Sequence, residues 1–200
     1  MSTFTDQHRL GAWFALNVWS GREQLTARHL ESRGYEVFLP TYIEHKRWSD
    51  RVRASVRALF DGYLFCRLEE QRFAKAITAP GVIRIVGNGQ RPTAVATDEL
   101  DAIRRVVDSR LSATPWPFLR GGERVRVSSG PLRDVEGIVL RAKNQDRLLV
   151  SVSLLQRSVA VELDAASVEL VTSSAAPPAR RLDEVTGLSP LGRARHRTDR

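Results

Sequence analysis

Gly122-Glu-Arg-Val-Arg-Val-Ser-Ser-Gly-Pro-Leu-Arg-Asp-Val-Glu-Gly-Ile-Val139 decides the architecture of the carboxy-terminal half. Val125 and Val127 alternate with arginines and so share one face of a short strand. Ser129-Gly130-Pro131 turns the chain, and Gly137 lets the returning strand bend sharply. The same period of two continues through Leu148, Val150, Val152 and Leu154, and again through Val159, Val161 and Leu163. Turns fall at Asn144-Gln145-Asp146, Gln156-Arg157 and Asp164-Ala165-Ala166. About five short strands in about 50 residues cannot cover a large sandwich, so residues 120–171 read as a small five-stranded barrel.

Upstream, Ser112-Ala113-Thr114-Pro115-Trp116-Pro117 places two prolines in three residues, which stops a helix and stiffens a connection; residues 112–119 read as a linker. Residues 11–111 alternate strand and helix signals. Trp13 to Val18 is an apolar run of strand length, and Ser20-Gly21-Arg22-Glu23 fits a capping box at a helix start. That helix carries Leu25, Ala27 and Leu30 inward and stops at Gly34. A strand over Tyr35 to Leu39 and a hairpin over Ile43 to Leu59, with a polar tip near Trp48-Ser49-Asp50, come next. Phe60 to Leu68 is an aromatic-rich central strand, Glu69 to Ile77 a short helix with Phe73 and Ile77 on one side, and Val82 to Val86 a strand. Thr97 caps a last helix, acidic early and basic late, with Leu100, Ile103 and Val107 as its buried stripe. The order β-α-β-β-β-α-β-α predicts an α+β sandwich with a mainly antiparallel sheet. Residues 1–10 read as a flexible start and 172–200, rich in Ala, Pro and Arg, as a disordered basic tail.

The chain of 200 residues carries 31 basic and 23 acidic side chains, a net charge of +8. The excess is spread: 17 against 13 in residues 1–118, 8 against 7 in 119–171, and 6 against 3 in 172–200. Such a balance favours contact with nucleic acid. Only Lys46, Lys75 and Lys143 are lysines, however, and so strong an arginine skew also follows from genome composition, so charge alone leaves both readings open. No segment approaches the roughly 18 apolar residues of a membrane span. One cysteine, Cys66, excludes an internal disulfide and a thiolate cluster, which fits a cytoplasmic protein; the chain is expected to act as a monomer.

Enzyme chemistry finds no support. Phosphate-loop, HExxH and CxxC motifs are absent, and Gly87-Asn88-Gly89 lacks the third glycine of a dinucleotide fingerprint. The histidines 8, 29, 45 and 196 are scattered, and Cys66, mid-strand between Phe65 and Arg67, reads as a buried inert thiol. No cofactor and no metal site are expected.

Gly122 to Val139 resembles the KOW motif, and its continuation over Leu148–Leu154 and Ser158–Asp164 is similar to the rest of the KOW barrel in NusG-type transcription factors. Upstream, Trp13-Phe-Ala-Leu16, Leu59-Phe-Asp-Gly-Tyr-Leu-Phe65 and Pro80-Gly-Val82 resemble the amino-terminal (NGN) domain of that family in order and spacing. The resemblance spans about residues 11–171. It implies a non-enzymatic elongation factor whose NGN domain sits on the clamp helices of the β′ subunit of bacterial RNA polymerase. Its KOW barrel would contact ribosomal protein S10 or termination factor Rho.

Under that resemblance Phe60, Tyr63, Phe65 and Ile85 are the candidate polymerase contacts; packing of the rings in the sheet–helix core is the competing account, evenly weighted for Phe65, with the interface favoured for Phe60 and Tyr63. Asp61 stands where the family usually has proline, and Asp suits a turn. Trp19, Arg22, His29 and Arg33 resemble the surface that reads the exposed non-template DNA strand in RfaH-type members; a solvated helix face is the alternative. Lys46 and Arg47, with Arg51 and Arg53, would meet DNA phosphates or keep an edge strand soluble. RfaH-type members also set a His-Thr-Thr stretch against the β-subunit gate loop, where this chain has Phe73, Ala74 and Lys75. Leu154, Leu155 and Arg157 occupy the barrel loop that carries Ile-Phe-Gly-Arg in NusG proteins, which makes them the candidate contacts for S10 or Rho. RfaH itself can refold its barrel into a helical hairpin; the strict alternation of valines here predicts a stable barrel. The expected function is processive elongation or antitermination on selected operons. A housekeeping NusG is the near alternative, and an RNA- or ribosome-binding KOW protein the distant one.

Overall fold

The structure, a computed structural model, describes residues 11–47, 52–89, 91–119, 122–140, 146–163 and 167–170. Its first unit is built on a four-stranded antiparallel sheet of β1 (Ala12–Val18), β2 (Glu36–Phe38), β5 (Tyr63–Leu68) and β6 (Val82–Ile85), in the order β2-β5-β1-β6. Side chains alternate across a strand, so register decides which residues share a face. Pairing of Phe14 with Cys66 and Leu16 with Leu64 sends these four to one side; pairing of Ala15 with Phe65 sends those two to the other.

The first face is closed by α1 (Glu23–Glu31) and α2 (Phe73–Ile77), through Ala27, Leu30 and Ala76, with Phe73 edge-on to Phe14 at 4.9 Å. The buried positions of α1 are Glu23, Thr26, Ala27 and Leu30, one continuous helical stripe. Leu25, expected inside, falls outside that stripe and is 48% exposed, and Ile77 of α2 is exposed as well. Gly34 takes the left-handed conformation (φ 76°) that ends α1, as expected.

The second face meets α3 (Thr97–Asp108) through Leu100, Ile103 and Val106. Val106 holds the deep position expected of Val107, which is only partly buried. Thr97 is the first helical residue, not the cap; Ala96 precedes it and makes no side-chain capping bond. Between the two halves of the first unit, β3 (Thr41–Arg47) and β4 (Val52–Ala58) form a separate hairpin with Ile43 opposite Val56. Its expected tip, residues 48–50, and Arg51 lie outside the described residues.

The second unit is a six-stranded antiparallel sheet, β12-β8-β9-β10-β11-β7, made of β7 (Ala113–Pro117), β8 (Glu123–Val127), β9 (Glu136–Leu140), β10 (Asp146–Val152), β11 (Arg157–Leu163) and β12 (Val168–Leu170). The alternating residues Val125, Val127, Val139, Leu148, Val150, Val152, Val159 and Val161 are all buried. The sixth strand was not expected: the proline-rich stretch read as a connection pairs with β11, Pro117 opposite Arg157 and Pro115 opposite Val159. Proline is tolerated there because β7 is an edge strand with no further neighbour to bond. Gly137 is required by close approach: a Cβ there would stand 2.4 Å from the Leu149 carbonyl oxygen. One continuous buried cluster joins this sheet to Ala15, Phe60, Phe65 and the inner side of α3. No described helix is long and apolar enough to cross a membrane. The segments expected to be a flexible start and a basic tail lie outside the described residues.

Candidate functional site

The site begins at a tight turn. The Tyr63 amide donates to the Phe60 carbonyl at 2.9 Å, and Gly62 has φ 75°, the left-handed third position of a type II turn in which Asp61 is second. Both backbone groups of Gly62 are held from outside the turn. Its N–H donates to Glu23 Oε1 at 2.9 Å; its carbonyl accepts from the Val18 amide (2.9 Å) and from Asn17 Nδ2 (3.0 Å). Glu23, 7% exposed, also accepts from the Gly21 amide at 3.0 Å through the same oxygen. The Ser20 hydroxyl donates to both carboxylate oxygens of Asp61, at 2.9 and 2.8 Å.

This arrangement corrects the capping box. The N-cap of α1 is Arg22 and receives no side-chain bond, because a turn closed by Arg22 N–H on the Trp19 carbonyl (3.0 Å) moves the helix start beyond the reach of Ser20. Glu23 bonds the Gly21 amide, ahead of the helix, in place of the Ser20 amide that the motif predicts, and its second partner comes from a turn 39 residues away. Local spacing carries no signal for that partner.

The turn feeds β5, whose aromatics line the second face of the sheet. Phe60 and Phe65 are 1% and 0% exposed and meet edge to face at 5.7 Å; Phe65 also stacks on Phe38 at 6.0 Å. Tyr63 is half-buried, and Arg157 of the β unit brings its guanidinium to 5.9 Å from the Tyr63 ring, within cation–π range. Ile85 does not belong to this group. It is the register partner of Leu16 and therefore lies on the opposite face, buried with α1 and α2.

Two further polar contacts cross the same seam, and sequence reasoning missed both. Glu99 at the start of α3 accepts the Ser153 amide at 3.1 and 3.2 Å, and Arg105 donates to the Arg133 carbonyl at 2.9 Å. Arg104 covers the other end of the face, 4.5 Å over Trp13 and 5.3 Å over Phe38, held by Asp101 at 3.1 Å. The acidic start of α3 was legible as a dipole preference; its use as an acceptor for the β unit was not.

Of the candidate barrel contacts, Leu155 is 8% exposed in the joint core, and Leu154 packs partly buried against it. The apolar loop tip expected at Leu155 is therefore turned inward, beside a left-handed Gln156 (φ 51°), while Arg157 is exposed and directed at Tyr63.

The nucleic-acid candidates separate into groups. Trp19 is 56% exposed with the Arg22 guanidinium 5.6 Å over its ring, so these two form one surface feature. His29 is half-buried on the last turn of α1, and Arg33 is tied to α2, donating to the Lys75 carbonyl at 3.3 Å. Lys46 and Arg47 end β3, in register with Arg53 and Val52. At the hairpin base, burial, assisted by the neighbouring Glu44 carboxylate, raises the Tyr42 hydroxyl pKa.

No group of three or more His, Cys, Asp or Glu among the described residues could hold a metal ion. Cys66 is buried, and burial pushes its thiol up to about 12, a neutral and unreactive state.

Comparison with known proteins places this geometry. The family model described as transcription termination factor nusG matches residues 11–104. The transcription termination/antitermination protein NusG of Pseudomonas aeruginosa is 31% identical over 173 residues, covering 80% of this chain and 98% of that one. The protein of the same name from Escherichia coli is 29% identical over 171 residues, covering 78% and 94%. A solved structure described as domain interaction in Thermotoga maritima NusG shares the fold, with a TM-score of 0.51 at 20% identity and coverage of 79% of this chain and 96% of that one. A two-unit chain with this fold, matched along nearly the full length of a curated relative, belongs to the NusG family of transcription termination/antitermination factors.

Proposed function

We propose that this NusG-family factor binds bacterial RNA polymerase through the second face of its amino-terminal sheet and promotes processive elongation or antitermination on selected operons. The observation that carries the reading is the state of Tyr63. It belongs to an aromatic face, yet its cover includes a side chain, Arg157, from the other unit of the chain. A cover of that kind can be exchanged for a partner surface, and the exchange would expose Tyr63 with Phe60 and Phe65 behind it.

In this reading the face docks on the β′ clamp helices, and the α2 region approaches the β gate loop. Trp19 and Arg22 meet the exposed non-template strand by stacking and charge, with Lys46 and Arg47 supplying phosphate contacts, His29 lying on the last turn of α1 and Arg33 just past its end. Leu154 and Leu155, beside the already exposed Arg157, are offered to S10 or Rho when the β unit leaves the seam. Ile85 takes no part, because its face is closed by helices of its own unit.

Co-purification of the tagged protein with polymerase from its own host tests this reading. Wild type recovers polymerase and Tyr63→Ala loses it; ribosomes without polymerase in both would transfer the protein to the translation side. The match to termination/antitermination proteins also supports a second reading, the housekeeping NusG. Essentiality of the gene and occupancy of polymerase genome-wide, as opposed to a few operons, decide between the two.

A further inference from the structure

The two contact surfaces just proposed, Tyr63 for polymerase and Trp19 with Arg22 for nucleic acid, lie on segments far apart in sequence and joined by side chains that neither surface uses. We infer that Ser20, Glu23 and Asp61 are positioning residues that carry both surfaces as one rigid unit; the inference rests on the proposed function and adds to it how the nucleic-acid surface is aimed. Glu23 is the inner bolt. One buried carboxylate oxygen holds the Gly21 amide on the Trp19–Arg22 side and the Gly62 amide on the Tyr63 side. Bonds to a charged acceptor are the strong kind, and leaving the Gly62 N–H without one costs more than the bond is worth. Ser20 and Asp61 form the outer bolt, one donor on the first loop and one carboxylate on the turn, both exposed.

A proline in second position presets a type II turn by its ring alone. Asp61 leaves the turn to Gly62 and the Phe60–Tyr63 bond and uses its own side chain to reach the adjoining loop. Turn formation and loop tethering are therefore separable by substitution. Asp61→Pro keeps a turn that favours proline at this position and deletes the acceptor. Ser20→Ala deletes the donor. Asp61→Asn keeps an oxygen for Ser20 and so serves as the conservative rescue.

The experiment uses the full chain on a stalled elongation complex from its own host, with iodouracil in the unpaired non-template strand as the photo-crosslinking probe. Polymerase affinity is measured in parallel. The expected result is that Asp61→Pro and Ser20→Ala each lower the crosslink about threefold to tenfold, the range of one lost hydrogen bond. Polymerase affinity stays within about twofold of wild type, and Asp61→Asn restores most of the crosslink. Crosslinks at wild-type yield in both variants overturn the inference. So does a loss of polymerase affinity in step with the crosslink, which would make these residues mere supports of the Tyr63 face. Absence of polymerase binding by wild type itself would defeat the proposed function, and the positioning role with it; that outcome is distinct because it appears before any substitution is made.

Discussion

The two faces of the amino-terminal sheet are built from the same strands and covered in different ways. The face of Phe14, Leu16, Leu64 and Cys66 is closed by α1 and α2, helices connected to it by short local segments. The face of Ala15, Phe60 and Phe65 is closed by α3 and then by a second unit, through one continuous apolar cluster and polar contacts at Ser153, Arg133 and Arg157. The first cover cannot leave without unfolding the domain. The second is attached through another folded unit, so its removal costs an interface and not a fold. The face proposed above for a partner is accordingly the one whose cover can be exchanged.

Substitutions sharpen that contrast in order of their expected size. Leu64→Ala empties a fully buried position on the permanent face and is expected to cost about 2.7–5 kcal/mol. At this chain length the loss lowers the melting temperature by about 10 °C, read by calorimetry. Gly137→Ala forces a methyl against the Leu149 carbonyl and is expected to cost about 1–3 kcal/mol, confined to the β unit. Its signature is a lower urea midpoint for the β unit with the Cys66 thiol still protected. The pair Glu99→Ala and Arg105→Ala removes the two seam bonds outside the core. Each change is expected to shift stability by less than about 1 kcal/mol while raising the radius of gyration in solution scattering. An unchanged scattering curve would break the comparison, because the seam would then be as permanent as the helical face.

The last test concerns Cys66. Burial holds its thiol neutral with a pKa raised to about 12, from 9.0 for an unperturbed thiol. The stabilisation from keeping it neutral is complete below pH 9 and is lost as the pH rises from 9 toward 12, since the unfolded chain releases that proton first. Below pH 9 a thiol reagent should therefore report only global unfolding. Reaction in the native state faster than unfolding would show that the permanent face opens by itself.

What could be read from sequence follows the range of the interaction. Alternation along β1, β5, β10 and β11 is written in neighbouring residues, and the architecture followed from it. The face of Ile85 is set by pairing with Leu16, beside a register shift between Asn17 and Val18, a register no local pattern contains. Strand β7 was missed because prolines read as a breaker; its pairing with β11 depends on an edge that exists only once the sheet has formed. Leu25 was misjudged because apolar character was weighted above helical phase, whereas the stripe through Glu23 and Thr26 buries polar residues that find partners or close contacts in other segments. At the site, the aromatic turn and the basic loop were legible as residue types. The carboxylates that join them, and the seam that covers Tyr63, are contacts between segments tens of residues apart.

In the proposed function polymerase takes the place of the β unit on the Tyr63 face. Amide hydrogen exchange of the full chain, with and without its host polymerase, tests it directly. Binding is expected to leave residues 60–65 protected while residues 153–157, freed from Glu99 and Tyr63, exchange faster. Slower or unchanged exchange at 153–157 in the bound state would contradict it, because polymerase would then have bound with the seam still closed.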